Sequence, residues 1–492
     1  MYFLGYDIGS SSIKASLLDG EQNKEISTAQ SPQTELPIIA HQSGWAEQKA
    51  STWWSHIVKV TQALLATSDV DPSEIKAIGI SYQMHGLVLV DKNLHELRPS
   101  IIWCDSRAVE LGTKAGEKLG QSYQQQHILN SPGNFTAAKA AWVQQYEPSV
   151  FDKCHKMLLP GDYVALRMTG RCATTESGLS EGILYDFAEG RLATEVLDSL
   201  DLTSDIIPEV VPTFGEQALL SSDAARELGL VQGTPVTYRA GDQPNNALSL
   251  NVLQPGELAA TAGTSGVIYG IHDALICDPL SRVNSFAHVN HQQEQKRLGV
   301  LLCINGTGIL NAWMKRTTSA SSYQEMNALA REKPIGSEGV LIFPFGNGSE
   351  RILENKELGS SIEGLQFNIH DQGHLYRATQ EGIACSLAFG TEVMSSLGIQ
   401  HSVIRAGEAN LFLSDIFQEA IANLTGASIE LYNTNGAQGA ARGAGIGLGY
   451  YNLKEAFSGL HLRKCIEPDP QKTQKYRELY ARWKEQLQLA LH

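Results

Sequence analysis

The sequence predicts an α/β protein made of two related lobes that face each other across a cleft. Residues 2–6 (YFLGY) form a short apolar run, followed by a turn rich in glycine and serine and by a second apolar run. Residues 258–270 (LAATAGTSGVIYG) repeat this strand, turn and strand. One hairpin therefore opens each half, and the 492 residues are about three times the length of a typical single domain.

The remaining elements of the first half alternate strands with helices. A strand pattern is broken by the polar segment QMHG, two segments have the apolar spacing of helices, and a last strand leads into a polar turn. These predicted elements are residues 77–91, 137–146, 158–168 and 236–239. Polar groups at strand ends are suited to ligand contacts.

In the second half, a segment with glycine before a helix is followed by a helix of small residues and a final amphipathic helix. These elements are residues 403–410 with the helix 411–424, then 435–445, then a helix that places Tyr476, Leu479, Tyr480, Trp483 and Leu487 on one face. We predict an amino-terminal lobe at residues 1–250, a carboxy-terminal lobe at 257–450 and a helical extension at 451–492.

The composition is that of an ordinary globular enzyme, with 42% hydrophobic and 18% charged residues. A net charge of −15 argues against a surface for nucleic acid or anionic lipid. The seven cysteines are scattered, without zinc-site spacing, as expected of reduced thiols. The first residues lack signal-peptide features, and no apolar run reaches the roughly 18 residues of a membrane span. We therefore expect a cytoplasmic protein.

Asp7 follows the first predicted strand and precedes a turn with glycine and three serines. The N–H groups and hydroxyls of such a turn can bind phosphate oxygens or a hydrated Mg²⁺. No P-loop string occurs, so a phosphate site must be formed by the hairpins. A plain β-turn stabilised by Asp7 is the alternative.

Asp242 lies in the polar turn that follows a predicted strand, before Gln243 and Pro244. A carboxylate there can accept the proton of an attacking hydroxyl, which makes Asp242 a candidate general base. An Asx-turn acceptor is the alternative.

His85, beside Met84, is a candidate sugar contact, because an imidazole nitrogen can hydrogen bond to a hydroxyl while the thioether packs on carbon atoms. A structural histidine is the alternative. Trp103 and Asp105, with Arg107, form either the sugar-facing floor of a site or only a salt bridge at a strand end.

Two glycine segments of the second half are candidate nucleotide contacts. Gly263-Thr264-Ser265-Gly266 has the composition of a phosphate-binding hairpin, and the segment from Gly407 to Asn410 can support an adenine or ribose before a helix. Their order after the Asp7 and Asp242 segments carries more weight than either segment alone.

Nearly the whole chain resembles the FGGY family of carbohydrate kinases. YDIGSSSIKASLLD resembles the family's first phosphate motif, and QMHGLVLVD with IIWCDSR resembles its substrate segment. FTAAKAAWV and LLPGDYVALRMTG match the stretch that follows, TAGTSG resembles the second phosphate motif, and AGEAN before a helix occupies the place of the adenosine motif.

The resemblance implies two ribonuclease-H-like lobes of the actin-like ATPase fold, the first for the sugar and the second for ATP. It implies transfer of the γ-phosphoryl group of MgATP to the terminal hydroxyl of an open-chain ketopentose. Asp242 is the implied base and Asp7 the residue that orients Mg²⁺ and phosphate, and both are implied metal contacts. The expected sugar contacts are Met84, His85, Trp103 and Asp105. The expected nucleotide contacts are Ser10, Ser11, Lys14, Gly263, Thr264, Ser265, Gly407 and Asn410.

The chain departs from the family's usual residues at Tyr82, at Gln243–Pro244 and at Glu408. These departures bear on the fit of the sugar, on the contacts after the base and on the nucleotide.

Three other functions compete with this interpretation. A kinase for ribulose, fuculose, glycerol or another ketose or polyol would share the motifs. An actin- or Hsp70-like ATPase would hydrolyse nucleotide without a sugar product, but it leaves His85, Trp103 and Asp242 unexplained. A non-catalytic sugar sensor is disfavoured because both Asp7 and Asp242 are retained. The expected partners are a sugar and ATP, with a homodimer as one expected assembly and no nucleic acid or membrane.

Overall fold

The computed structural model describes residues 1–492, and its strands form two large mixed sheets, one in each half of the chain. The strands of the first half are β1 Tyr2–Ile8, β2 Ile13–Asp19, β3 Lys24–Ser31, β4 Glu47–Gln48, β5 Ile75–Tyr82, β6 Val88–Val90, β7 Ser100–Ile101, β8 Lys156–Leu158, β9 Ala173–Thr175, β10 Tyr185–Asp186, β11 Arg191–Leu192, β12 Glu209–Val211, β13 Phe214–Leu219 and β14 Pro235–Gly241. Those of the second half are β15 Leu258–Ala262, β16 Gly266–His272, β17 Asn284–Ala287, β18 Leu298–Ile304, β19 Leu341–Phe345, β20 Gly359–Glu363, β21 Val403–Gly407, β22 Ser428–Tyr432 and β23 Leu462–Ile466.

Helices connect and cover these strands. They are α1 Ala50–Ser68, α2 Val109–Leu119, α3 Gln121–Tyr123, α4 Thr136–Tyr146, α5 Pro148–Phe151, α6 Pro160–Thr169, α7 Glu176–Glu181, α8 Thr194–Ser199, α9 Ser222–Leu228, α10 Asp242–Ser249, α11 Gly308–Thr317, α12 Tyr323–Arg331, α13 Gln372–Ser396, α14 Asp415–Thr425, α15 Gly436–Gly447 and α16 Pro470–Leu491. Among the short 3₁₀ turns, Arg351–Leu353 and Asn410–Leu413 lie beside the cavities described below. No helix combines the length and the apolar character needed to cross a membrane.

The two sheets repeat one pattern of strand pairing. The first has the order β13-β14-β5-β1-β2-β3, and the second has β17-β18-β16-β15-β21-β22-β23. In each, an antiparallel hairpin (β1–β2 or β15–β16) continues on one side into an antiparallel strand and on the other into two parallel strands. An antiparallel strand, β13 or β23, closes that second side. The two related lobes predicted from the repeated hairpins are thereby confirmed.

Each lobe has its own apolar core. The inner residues of β1 and β2 pack against one face of α1, where Trp53 and Ile57 are fully buried. In the second lobe, α16 contributes Tyr476 and Trp483 to the core formed with α13 and α14. Burying an aromatic side chain of this size stabilises the fold by roughly 1.5–3 kcal/mol. The sequence predicted this packing face of the last helix, although Tyr480 is only partly buried.

Helix α15 belongs to the second half of the sequence but packs on the first sheet. A Cβ atom on Gly5 of β1 would lie 2.0 Å from the carbonyl oxygen of Ala437, and one on Gly79 of β5 would lie 2.0 Å from that of Ala440. Only glycine allows such close approach of two backbones. Helix α10 contacts α15 through a 2.8 Å hydrogen bond from Asn245 to the carbonyl of Gly436. Because α10 also contacts strands of both sheets, it lies between the lobes.

Three predicted elements differ in the structure. Asp7 lies inside β1, paired with Lys14, and not in the turn after it. Asp242 begins helix α10, where a polar turn was predicted, because its carboxylate is at the first helical position and favours the helix amino terminus. The region 451–492 is not only helical, since β23 adds a strand to the edge of the second sheet.

Candidate active site

A cavity of about 560 Å³ lies between the two lobes. Nine of the residues predicted from the sequence line it: Asp7, Ser10, Ser11, Lys14, Met84, His85, Trp103, Asp242 and Ser265. The carboxyl ends of β1, β5 and β14 meet at this edge of the first sheet, while the β15–β16 turn approaches from the second lobe. Side chains that are far apart in the sequence thus reach one space.

Two carboxylates, those of Asp7 and Asp242, line this cavity. The Ser81 hydroxyl donates a 2.9 Å hydrogen bond to Asp7 Oδ1. Burial raises the pKa of Asp7, against the opposing effects of Lys14 and this hydrogen bond. Burial, and then the negative charge of Asp7, raise the pKa of Asp242 to about 7. A carboxylate with this pKa is close to the value suited to a general base at neutral pH.

His85 is held as a neutral hydrogen-bond acceptor. Its backbone is left-handed, with φ of 61°. Its Nδ1 lies 2.9 Å from the carbonyl oxygen of Glu181, and because a carbonyl only accepts, Nδ1 carries the ring proton. Burial, together with the nearby Lys139 ammonium, lowers the pKa of His85 to about 3. Nε2 is therefore unprotonated and free to accept a hydrogen bond from a hydroxyl.

Trp103 joins the predicted sugar segment to the Asp7 turn. Its side chain is 44% exposed, and Nε1 donates a 3.3 Å hydrogen bond to the hydroxyl of Ser10. Met84, in contrast, is buried and packs against Gly241, where an added Cβ would lie 2.5 Å from Met84 Cγ. An indole face and a thioether are thus available to pack on the carbon atoms of a ligand.

Asp105 does not line the cavity, although it was predicted to contact the sugar. Its carboxylate is fully buried, pairs with the Arg107 guanidinium at 2.6 Å and accepts the Ala46 N–H at 2.6 Å. The Arg107 guanidinium and the Ala46 N–H therefore use the carboxylate lone pairs of Asp105 that would otherwise accept hydrogen bonds from substrate hydroxyls. The alternative of a salt bridge at the strand end is what the structure contains.

A second cavity, of about 680 Å³, lies on the other side of the β15–β16 turn and is lined by Gly263, Thr264 and Asn410. The carbonyls of Gly263 and Thr264 accept the N–H groups of Gly308 and Ile309 at 2.9 and 3.1 Å, which fixes the turn against the start of α11. Since Ser265 lines the first cavity and Thr264 the second, this turn is shared by both.

Gly407 lines neither of these cavities, in contrast to its predicted role. It is the last residue of β21, paired with Tyr432, and the following N–H, of Glu408, donates to the carbonyl of that tyrosine at 2.9 Å. The side chains of α11 and α12 form the wall instead, including Asn311, Tyr323 and Asn327. The glycine pattern before Asn410 identified the correct segment but not the residues that face the space.

The first cavity is also lined by residues that were not predicted from the sequence. From the first lobe, Asn134 and Phe135 precede α4, and the Phe135 ring lies 4.8 Å from that of His85 in an edge arrangement. From the second lobe come Asn284, Leu301, Cys303, Asn305, Ser349, Arg351 and Asn355. No local pattern marks these positions, except that Phe135 begins the FTAAKAAWV segment and Asn134 immediately precedes it.

Two departures from the family's usual residues have different outcomes. The Tyr82 side chain is fully buried under α6, where a Cβ on Gly161 would lie 2.0 Å from its ring, and it does not reach the cavity. Gln243 lines the cavity, and its Oε1 is buried without a hydrogen-bond partner. The glutamine beside Asp242 is therefore available to a ligand, whereas Tyr82 only packs.

Comparison with known proteins agrees with this fold. Residues 2–249 match the N-terminal domain of the FGGY family of carbohydrate kinases. The chain is 29% identical to xylulose kinase of Bacillus subtilis (98% of this chain, 96% of the relative) and 29% identical to that of Escherichia coli (99% of each). A solved structure described as a xyloylose kinase from Brucella ovis superposes with a TM-score of 0.88 at 26% identity, covering 99% of this chain and 98% of that one.

The fold is that of the two-lobed, actin-like sugar kinases, a class that transfers a phosphoryl group from ATP to a sugar. The chain belongs to the FGGY family of carbohydrate kinases, and its substrates are a sugar and ATP.

Proposed function

We propose that the protein phosphorylates D-xylulose to D-xylulose 5-phosphate. The observation that carries the proposal is the β15–β16 turn, which places Ser265 in the cavity of Asp242 and His85 and places Thr264 in the adjacent cavity. A nucleotide in the second cavity can then direct its γ-phosphate over the turn, towards a hydroxyl beside Asp242. Similarity over the full length to xylulose kinases supports the choice of sugar.

The sugar binds in the first cavity. His85 Nε2 accepts a hydrogen bond from a hydroxyl, Met84 packs on the carbon chain, and Trp103 covers the open side. The neutral state of His85 suits an uncharged ligand, because no ion is left unpaired in the closed site. In the proposed pose, the terminal hydroxyl of an open-chain ketopentose would point towards Asp242, which lines the same cavity.

Asp242 takes the proton of that hydroxyl as the oxygen attacks the γ-phosphorus atom in line with the leaving ADP oxygen. With a pKa raised to about 7, the carboxylate is a stronger base than an exposed aspartate. Such base catalysis contributes typically ~10²–10⁴-fold in rate. Most of the remaining rate comes from holding the reactants in line.

The Ser10–Ser11 turn, Lys14 and Ser265 line the first cavity and would contact the phosphate oxygens. The residues that would hold Mg²⁺ are Asp7 and Asp242, which both line the cavity. Two buried carboxylates with raised pKa values fit a hard cation that prefers one or two carboxylates plus phosphate oxygens. When bound, Mg²⁺ neutralises charge on the phosphates. Lys14 compensates the same charge from the protein side.

Closure of the lobes over both substrates would exclude water, which otherwise competes with the sugar. We place the lobes at residues 1–250 and 257–450, with the extension 451–492 on the second, and the protein in the cytoplasm. A homodimer stays a prediction. Compaction on adding sugar and a nucleotide analogue, measured by small-angle X-ray scattering, checks the closure, and an unchanged radius of gyration contradicts it.

One ATP-consumption assay tests the function. The purified protein is supplied with D-xylulose, D-ribulose, L-ribulose, L-fuculose or glycerol, and D-xylulose is expected to give the highest kcat/KM. Preference for another sugar assigns the protein to that substrate, and equal activity on all five refutes the xylulose assignment. Hydrolysis of ATP at the same rate without any sugar would instead indicate an actin- or Hsp70-like ATPase.

A further inference from the structure

Lys139 of α4 lies directly behind the wall of the first cavity. Its side chain is fully buried, and the hydrogen-bond partners of its ammonium are two backbone carbonyl oxygens. Nζ donates one hydrogen bond of 2.8 Å to the carbonyl oxygen of His85 and another of 3.0 Å to that of Ile102. Burying an ammonium is costly unless it is hydrogen-bonded. These two hydrogen bonds offset that cost, and movement of either carbonyl away from Nζ would lose part of this stabilisation.

The two carbonyls belong to the two segments that carry the proposed sugar contacts. One is that of His85, whose backbone is in the left-handed region. The other is that of Ile102, which immediately precedes Trp103. Backbone hydrogen bonds between Leu87 and Ile101 join the same two segments further from the cavity. The Lys139 ammonium therefore links the two segments at His85 and at the residue before Trp103, and both His85 and Trp103 line the cavity.

We propose that Lys139 is a positioning residue that fixes His85 and Trp103 relative to each other and so sets the affinity for the sugar. The inference rests on the proposed function of this cavity. Lys139 does not line the cavity and acts only through the backbone of the two segments. Its loss should therefore affect sugar binding and leave nucleotide binding in the second cavity unchanged.

The ammonium titrates in an accessible range, which supplies a second readout. Burial is the main cause that lowers the pKa of Lys139 to about 8; the neighbouring Asp105 and Cys104 raise it, and Arg107 lowers it. As the pH rises through about 8 the ammonium loses its proton, and the charge-assisted bonds to the two carbonyls weaken. The sugar KM should then rise, whereas His85 stays neutral throughout.

The test compares Lys139→Met with the wild type and with Lys153→Met, a control at an exposed lysine after α5. We expect Lys139→Met to raise the sugar KM about 10-fold. This is less than the full loss of two charge-assisted hydrogen bonds, because they act on the sugar only through the backbone of the two segments. The KM of Lys139→Met for ATP should stay within about twofold, and Lys139→Arg should recover part of the sugar affinity. A sugar KM within twofold of wild type in Lys139→Met overturns the inference.

The pH profile of the wild type distinguishes a positioning role of Lys139 from a role in protein stability alone. It also tests the inference if Lys139→Met does not fold. In the wild type the sugar KM should rise above pH 8 with no parallel rise in the KM for ATP; a flat profile, or an equal rise in both, overturns the inference. The measurements use whichever sugar of the panel is phosphorylated best. If that sugar is not D-xylulose, the proposed substrate fails while the role of Lys139 is still decided.

Discussion

The carboxylate of Asp7 lies directly against Gly436, the first residue of α15. A Cβ atom at position 436 would lie 2.5 Å from Oδ2 and 2.7 Å from Cγ of Asp7. Real Cβ atoms do not approach other heavy atoms this closely. The position of the Asp7 carboxylate therefore requires a glycine at position 436, far along the chain.

Gly436→Ala should displace the Asp7 carboxylate and lower kcat by about 100-fold, since a 1 Å misplacement in an active site has an effect of that order. The free energy of unfolding should fall by only about 1–3 kcal/mol, as for other overpacked sites. Steady-state kinetics and thermal unfolding measure the two effects. Gly116→Ala in α2 is the control, because its Cβ would meet only Gln124 and Pro132 side-chain atoms, at 3.3 Å. Wild-type kcat in Gly436→Ala would contradict the role of this contact.

Asp242→Asn should preserve the fold and sugar binding but reduce kcat by about 10²–10⁴-fold, because the amide cannot take the hydroxyl proton. Calorimetric titration with the sugar and a coupled ADP assay give the two quantities. Asp223→Asn is a matched control, since Asp223 is also in the first turn of a helix but is exposed. Near-normal turnover in Asp242→Asn would rule out the assignment of the base.

The rate should fall at acidic pH through the titration of Asp242. Only the ionised carboxylate accepts a proton, so kcat/KM should decrease as the pH falls through about 7, the value to which burial and Asp7 raise the pKa of Asp242. The two carboxylates interact, so the measured midpoint belongs to the pair. The pH profile of kcat/KM is measured at several Mg²⁺ concentrations, and its midpoint should shift to lower pH as the Mg²⁺ concentration increases. A profile that is flat from pH 5 to 8 would contradict the proposal.

His85→Asn should raise the sugar KM about 10-fold, which corresponds to one lost hydrogen bond, with little change in the KM for ATP. Asparagine tolerates the left-handed backbone of His85, so the fold should be retained. Because the pKa of His85 is about 3, the histidine itself should add no pH dependence to the sugar KM between pH 5 and 7. His41→Asn, at an exposed histidine, is the control. An unchanged sugar KM in His85→Asn would indicate that His85 is a structural histidine and not a sugar contact.

Asn410→Gly should raise the KM for ATP several-fold and leave the sugar affinity unchanged, since Asn410 lines only the second cavity. Glycine is chosen because Asn410 has φ of 55°, which alanine adopts at a cost. Asn251→Gly changes another left-handed asparagine outside both cavities and is the control. Equal effects of the two substitutions on the KM for ATP would show that the second cavity does not bind the nucleotide.

The sequence predicted the site best where function depends on residues next to each other in the chain. Met84, His85 and Trp103 follow strands of the first lobe, and all three line the cavity. For Asp105 the sequence left a sugar contact and a salt bridge as alternatives, because a carboxylate in a motif gives no information about its partners. The structure contains the salt bridge, with the Arg107 guanidinium. Gly407 was misplaced for a similar reason, since a glycine pattern does not reveal which residues face a space.

Residues such as Arg351 and Asn284 could not be predicted, because they reach the cavity from the second lobe through contacts between distant segments. Helix α15 was predicted as a helix of small residues, yet its packing on the first sheet follows only from Gly5 and Gly79 opposite it.

By itself, the sequence determined the two hairpins, their repetition, the family and the position of Asp242 after a strand. These features depend on residue spacing along the chain, which is fixed before folding. Tertiary structure alone decided that Asp242 and Asp7 line one cavity, that Gly436 leaves room for the Asp7 carboxylate, and that Asp105 forms an ion pair with Arg107. Burial and charge pairing depend on which distant segments meet, and those contacts give Asp242 its raised pKa.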